Sequence, residues 1–226
     1  MSKALIIEDD PNVANTLAEL LRHSGWTIET TNNGADGLQL ISQFSYDLVL
    51  LDWCLPDLTG LELCTRYRAS GGTMPIIFIT GQNDVADIES GLDAGSNDYI
   101  TKPFEKRELM ARIRNVMRQP RGIATVDVIR ISNITFDSRR RLISSETKVA
   151  QFTAVEYNLI EYLLRNKGES FTTDQLFNAI WQSDSNSSEE TVRVHIRVVR
   201  RKLELAGLPA LILHRRGFGY SLEEPS

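Results

Sequence analysis

Cysteine is scarce in this 226-residue chain: only Cys54 and Cys64 occur, ten apart and with no histidine nearby. That excludes a disulfide framework and offers no thiol metal site, so two reduced thiols in a reducing compartment are expected. Long apolar runs are also missing, since none approaches the roughly 18 residues that a membrane span needs. The start, Met1-Ser2-Lys3 followed by four apolar residues and then Glu8-Asp9-Asp10, lacks the apolar core of a signal peptide. A cytoplasmic location without membrane association is the expectation. Positive charge is in deficit, 25 Lys/Arg against 30 Asp/Glu, and it is unevenly spread. Residues 1–121 carry 11 basic and 17 acidic groups, a net of −6, whereas residues 122–226 carry 14 and 13. Between residues 191 and 216 the count is seven basic to one acidic, which marks that segment for an anionic partner.

What is present is ordinary for a globular protein: 42% apolar and 24% charged residues, at a length that fits two domains. In the first half, short apolar runs at 4–7, 26–28, 48–51, 76–79 and 99–100 alternate with helix-period segments at 11–23, 36–43, 61–69, 85–93 and 106–117. Asp10 before Pro11 reads as an N-cap followed by proline at the first helical position. Five strands alternating with five helices predict a doubly wound parallel α/β sheet. Ligands bind such sheets at the carboxyl ends of the strands. Standing there are Glu8 and Asp9, Asp52, Thr80 and Lys102. Converging carboxylates repel unless a cation or proton intervenes, and a hard divalent ion such as Mg²⁺ resolves the conflict. With a hydroxyl and an ammonium added, the five groups suit a phosphoryl oxyanion held on Asp52.

The segments LIIEDD (5–10), LVLLDWCLPDLTG (48–60), IIFITG (76–81) and NDYITKPF (97–104) resemble the receiver domain of bacterial two-component response regulators. The resemblance implies a flavodoxin-like receiver over residues 1–121. It implies Mg²⁺ (or Mn²⁺) held by Glu8, Asp9, Asp52 and the backbone carbonyl of Cys54. A sensor histidine kinase would phosphorylate Asp52, with Thr80 and Lys102 contacting the phosphoryl oxygens and a cis bond between Lys102 and Pro103. Tyr99 matches the aromatic that rotates inward when Thr80 moves. Trp53 and Cys54 replace the aliphatic or Met residues common after the phosphoacceptor, and Cys54 with Gln82 would border the hydrolytic water's path. The protein is expected not to be an enzyme beyond Mg²⁺-dependent self-phosphorylation and dephosphorylation.

After a linker at 122–126, residues 127–226 show short strands at 128–131, 134–136, 141–144 and 148–152, then three helices opened by capping boxes at Thr153/Glu156, Thr172/Gln175 and Ser187/Glu190. In the third helix Val192, Ile196, Val199 and Leu203 form an apolar stripe. Val194, Arg197, Val198 and Arg201 are expected to face away from it, a valine-lined and arginine-edged face suited to a major groove. Strands at 211–214 and 220–222 flank the basic, glycine-rich tip Arg215-Arg216-Gly217-Phe218-Gly219. The segments FTAVEYNLIEYLLRNKG (152–168), TVRVHIRVVRRKLE (191–204) and HRRGFGYSL (214–222) resemble the winged helix-turn-helix output domain of the OmpR/PhoB family. That implies an α+β domain contacting promoter DNA through Thr191, Arg193, His195, Arg197, Val198, Arg200, Arg201, His214 and Arg216. Residues 181–188 would form a loop able to touch RNA polymerase or a neighbouring protomer. Many relatives carry a basic residue in place of Val198 and an acidic one in place of Arg193, so the operator does not transfer.

The resemblance further implies a homodimer on phosphorylation. Leu92, Asp93, Asp98, Ala111, Arg112 and Arg114 match its interface, whereas Ile88 and Glu89 replace the usual cation and apolar neighbour. Two other readings use the same residues: a phosphorelay protein with vestigial DNA binding, and a metal-dependent phosphatase or phosphotransferase. The seven-to-one basic excess argues against the first, and the lack of a second acid/base residue near Asp52 against the second.

Overall fold

The computed structural model describes residues 2–81, 85–117, 128–181 and 189–223, in two compact units, Met1–Met117 and Arg118–Ser226. The expected linker at 122–126, Gln82 and the cap residue Ser187 lie outside the described residues.

The first unit alternates β1 (Lys3–Ile7), α1 (Pro11–Arg22), β2 (Thr27–Thr31), α2 (Gly34–Gln43), β3 (Leu48–Asp52), α3 (Gly60–Ala69), β4 (Ile76–Thr80), α4 (Val85–Asp93), β5 (Asp98–Thr101) and α5 (Lys106–Met117). The sheet is parallel throughout, in the order β2-β1-β3-β4-β5. Strands β3 and β4 are buried over their whole length, which is why they read as continuous apolar runs rather than alternating ones. At the sheet edge β2 runs later than the apolar run at 26–28, because Thr30 and Thr31 pair with Ile6 and Ile7 and polar side chains are tolerated there. Helix α1 is capped by Asp10, whose side chain accepts from the Asn12 amide, with Pro11 at its start.

The second unit opens with an antiparallel sheet of β6 (Val128–Ile131), β7 (Ile134–Asp137), β8 (Leu142–Ser144) and β9 (Val149–Gln151), paired in that order. Helices α6 (Ala154–Arg165), α7 (Thr173–Ile180) and α8 (Glu189–Leu205) follow, then the hairpin β10 (Ile212–Arg215) and β11 (Gly219–Leu222). The capping boxes of α6 and α7 both form, each with the threonine oxygen on the third helical amide and the Glu or Gln returning to the cap amide. Helix α8 packs on α6, α7 and β9. Among the described residues no helix is long and apolar enough to cross a membrane.

Candidate phosphoacceptor site and nucleic-acid interface

The strand order places β1 beside β3 and β3 beside β4, so Glu8 and Asp9 follow β1, Asp52 ends β3 and Thr80 ends β4 on one sheet edge. Ligand oxygens of Glu8, Asp9 and Asp52 lie within 4.8 Å of one another. Glu8, Asp52 and Thr80 are buried, whereas Asp9 is exposed. Lys102, one residue past β5, lies 2.9 Å from both Glu8 carboxylate oxygens and 3.2 Å from Asp52 Oδ1. Its backbone amide donates to the Thr80 carbonyl at 2.7 Å, and the Lys102–Pro103 bond is cis. The Trp53 amide donates to Asp52 Oδ1 at 2.8 Å, so among the described residues both contacts fall on that oxygen and leave Oδ2 open.

The electrostatics show a site short of positive charge. Burial raises the Glu8 carboxyl above its ordinary range, against the lowering bond from Lys102 and with the nearby Asp52 charge adding to the rise. Burial likewise raises Asp52, partly opposed by Lys102. Burial pulls the Lys102 ammonium down, but its bond to Glu8 and the charge of Asp52 outweigh that and leave it raised. All three groups therefore lean toward holding a proton, as burial does to carboxylates gathered around one ammonium. Three hard carboxylate donors at this spacing could hold a metal ion.

Tyr99 is half-buried and lines a small cleft with Trp53, Phe78, Thr80, Asp87, Ile88 and Gly91, while Arg112 stands 5.3 Å from its ring centre. Cys54 is exposed, two residues past Asp52.

Three supporting residues were not singled out from the sequence. Asp57 accepts from the Gly34 and Ala35 amides at 2.8 Å each, tying the loop after Asp52 to the start of α2; those bonds hold its carboxyl below the usual range. Gly60 opens α3 so close to β3 that a Cβ there would lie 2.1 Å from the Asp52 carbonyl oxygen. Arg68 donates to the carbonyls of Gly95, Gly72 and Met74 and to Asn97, fastening α3 to the entrances of β4 and β5. The Asp and Gly of the 48–60 run were visible, but only the close approach in space gives them a task.

The expected dimer residues fall differently. Leu92, Ala111, Asp98 and Arg112 are buried, and Arg112 pairs with Asp98 at 2.9 Å and Glu108 at 3.1 Å within the chain. They are therefore not open surface in this structure. Glu108, which Ile88 offers no cation, is paired with Arg112 one helical turn on. Asp93 is half-buried and Arg114 exposed.

In the second unit the outer face of α8 corrects the sequence reading. Arg193, Arg197 and Arg201 are exposed and Arg200 is half-buried, but Val194 and Val198 are 0% and 2% exposed, and Thr191 and His195 are buried too. A helix laid across α6, α7 and β9 is covered over a wider arc than its four-residue stripe suggests. His195 sits against the Trp181 ring at 5.3 Å. The presented side chains are thus arginines at four-residue spacing rather than a valine-lined face. Arg200 donates to the Ile212 carbonyl at 3.1 Å and stands over the Tyr220 ring, pinning α8 to the hairpin. His214 and Arg216 are exposed on that hairpin. Of the loop expected at 181–188, residues 182–188 lie outside the described residues.

A parallel 2-1-3-4-5 sheet with an acidic cluster and a lysine at its carboxyl edge, followed by a winged helix, defines a response regulator with a DNA-binding output domain. Residues 4–114 match the response regulator receiver domain family and residues 147–222 the family of transcriptional regulatory protein C-terminal domains. The chain belongs to the OmpR/PhoB type of response regulator, a family of transcription factors rather than catalytic enzymes. It is 37% identical to the response regulator ArlR of Staphylococcus aureus over 221 residues, covering 97% of this chain and 99% of that one. To the transcriptional regulatory protein DltR of Streptococcus agalactiae it is 36% identical over 222 residues, 98% and 99% of the two chains. Among solved structures it shares its fold with a mutant of RitR, at a TM-score of 0.78 and 23% identity over the full length of both chains.

Proposed function

We propose that Asp52 accepts a phosphoryl group from a sensor histidine kinase and that this modification controls promoter binding by the second unit. The observation that carries the reading is the lysine bridging two buried carboxylates at the sheet edge, with Asp52 Oδ2 left open. Glu8, Asp9, Asp52 and the Cys54 carbonyl would hold Mg²⁺ (or Mn²⁺), which when bound offsets the charge of the incoming group. Asp52 Oδ2 attacks phosphorus as the bond to the donor histidine nitrogen breaks. Lys102 then exchanges its carboxylate contacts for a phosphoryl oxygen, and Thr80 supplies a hydroxyl donor. Movement of Thr80 lets the Tyr99 ring turn further into the cleft that both residues line. A homodimer forming through α4, β5 and α5 would require the intrachain Asp98–Arg112 pair to open, with Asp93 and Arg114 at the rim. RNA polymerase is a further partner, and the cytoplasm is the location.

With a labelled phosphohistidine donor or acetyl phosphate, the wild-type chain should take up label that hydroxylamine releases and EDTA prevents. Asp52→Asn should take up none; undiminished labelling of that variant sinks the assignment.

On the DNA side, Arg193, Arg197 and Arg201 face the duplex, with His214 and Arg216 on the wing. Arg197→Ala and Arg201→Ala should each weaken binding to all sequences and reduce the slope of log affinity against log salt by about one where a phosphate contact is lost. Unchanged slopes in gel-shift titrations would remove α8 from the interface.

A further inference from the structure

Phe218 is 70% exposed at the tip of the β10–β11 hairpin. Single exposed apolar side chains are common and need no explanation; the setting of this one is what singles it out. It lies between Gly217 at φ +83° and Gly219 at φ +99°, and its amide donates to the Arg215 carbonyl at 2.9 Å, which fixes the turn. The hairpin is anchored just behind its tip, because Tyr220 and Phe171 exchange backbone hydrogen bonds of 2.9 and 2.8 Å. A Cβ at Gly219 would lie 2.0 Å from the Phe171 carbonyl oxygen, so no other residue fits there. Arg215 is tied down by Glu223, whereas Arg216 is exposed with no partner among the described residues. The result is a stiff finger carrying one uncommitted cation and one large aromatic at its end.

That pairing matches the means by which proteins grip the minor groove: cations drawn by the phosphates and the groove's negative potential, and an apolar wedge pressed against a base step. We propose that Phe218 is such a wedge. Arg216 brings the tip to the minor groove and Phe218 partly unstacks one step there, bending the duplex toward the major groove that α8 occupies. The step favoured is an easily opened pyrimidine–purine one in A/T-rich sequence. The inference rests on the DNA-binding reading above and goes beyond it, since it assigns the wing a deforming role as well as a positional one.

The test uses full-length phosphorylated protein and duplexes recovered by the wild type from a random-sequence library. Bending is read by energy transfer between dyes at the duplex ends. Phe218→Ala should bind on the order of tenfold more weakly, within what loss of one aromatic–base contact costs. It should bend the duplex less and keep the wild-type salt slope, while Phe218→Trp restores both affinity and bend. Arg216→Ala, in contrast, should lower the salt slope by about one. Equal affinity and bend for Phe218→Ala would overturn the wedge, as would weaker binding with an unchanged bend. A loss of self-association without DNA, at unchanged DNA affinity, would overturn it too and assign Phe218 to a protein contact. Failure of the wild type to select any duplex would instead defeat the DNA-binding reading itself.

Discussion

Gly60→Ala is expected to damage both the stability of the first unit and its phosphoryl uptake. The position follows Thr59, whose side chain and Glu62 form the capping box that starts α3, so the backbone there is fixed from the helix side. It is fixed from the strand side as well, because the Gly60 amide donates to the Trp53 carbonyl at 3.0 Å. A methyl group would meet the Asp52 carbonyl oxygen at 2.1 Å and the Phe78 ring at 3.1 Å. The first of these is backbone and cannot rotate away, so either α3 withdraws or the end of β3 shifts. Overpacking of this kind costs about 1–3 kcal/mol and more where backbone must move, which corresponds to a fall of roughly 10 °C in the melting temperature of a unit this size. The shift falls on the residue that carries the nucleophile, so the rate of labelling should drop more than about tenfold even in the fraction that stays folded, by analogy with misplacement in active sites. Calorimetry and a labelling time course check the two parts. A variant that melts and labels like the wild type would show that the approach of α3 to β3 has slack.

The second large effect is expected at Glu156. This carboxylate is fully buried, accepts from the Thr153 amide at 2.8 Å as part of the α6 capping box, and receives Lys202 of α8 at 2.7 and 2.8 Å. One side chain thereby closes a helix start and holds α8 on its support. Glu156→Gln keeps the cap, since glutamine serves the same position in α7, but leaves the Lys202 ammonium without its counter-charge. Removing one partner of a buried pair costs roughly 3–5 kcal/mol, and the low end applies because the Lys202 side chain keeps 19% exposure. Glu156→Ala adds loss of the cap, about 1 kcal/mol more. The double variant Glu156→Gln, Lys202→Met should recover most of the loss, because two neutral groups need no counter-charge. Urea unfolding of the second unit in the full chain measures these three and the Lys202→Met single variant. Additive single-variant costs in the double variant would show that the pair is not coupled.

The chemistry of the first unit was legible because it stands at strand ends. Alternating apolar runs and helical periods located five strands and five helices, and the residues following each run, Glu8-Asp9, Asp52, Thr80 and Lys102, are where a parallel sheet gathers its ligands. Local sequence also carried the capping boxes of α6 and α7, since both partners lie within one turn. Helix α8 was read less well. A stripe of Val192, Ile196, Val199 and Leu203 says which side must be buried but not how far around the burial extends. Periodicity reports a direction, whereas coverage depends on what is packed beside the helix.

The sequence by itself thus determined the parallel α/β class of the first unit, the acidic cluster with its lysine, and the basic character of the helix and hairpin, because these follow from residue type and local period. Only the tertiary structure decided that Val194 and Val198 are buried while Arg193, Arg197 and Arg201 are presented. It also decided that Arg112 is committed to Asp98 and Glu108, that Glu156 and Lys202 meet across 46 residues, and that Gly60 must be glycine. Each depends on two segments distant in the chain approaching to within a few ångströms. No local pattern encodes such a distance, because it is set by how whole elements pack.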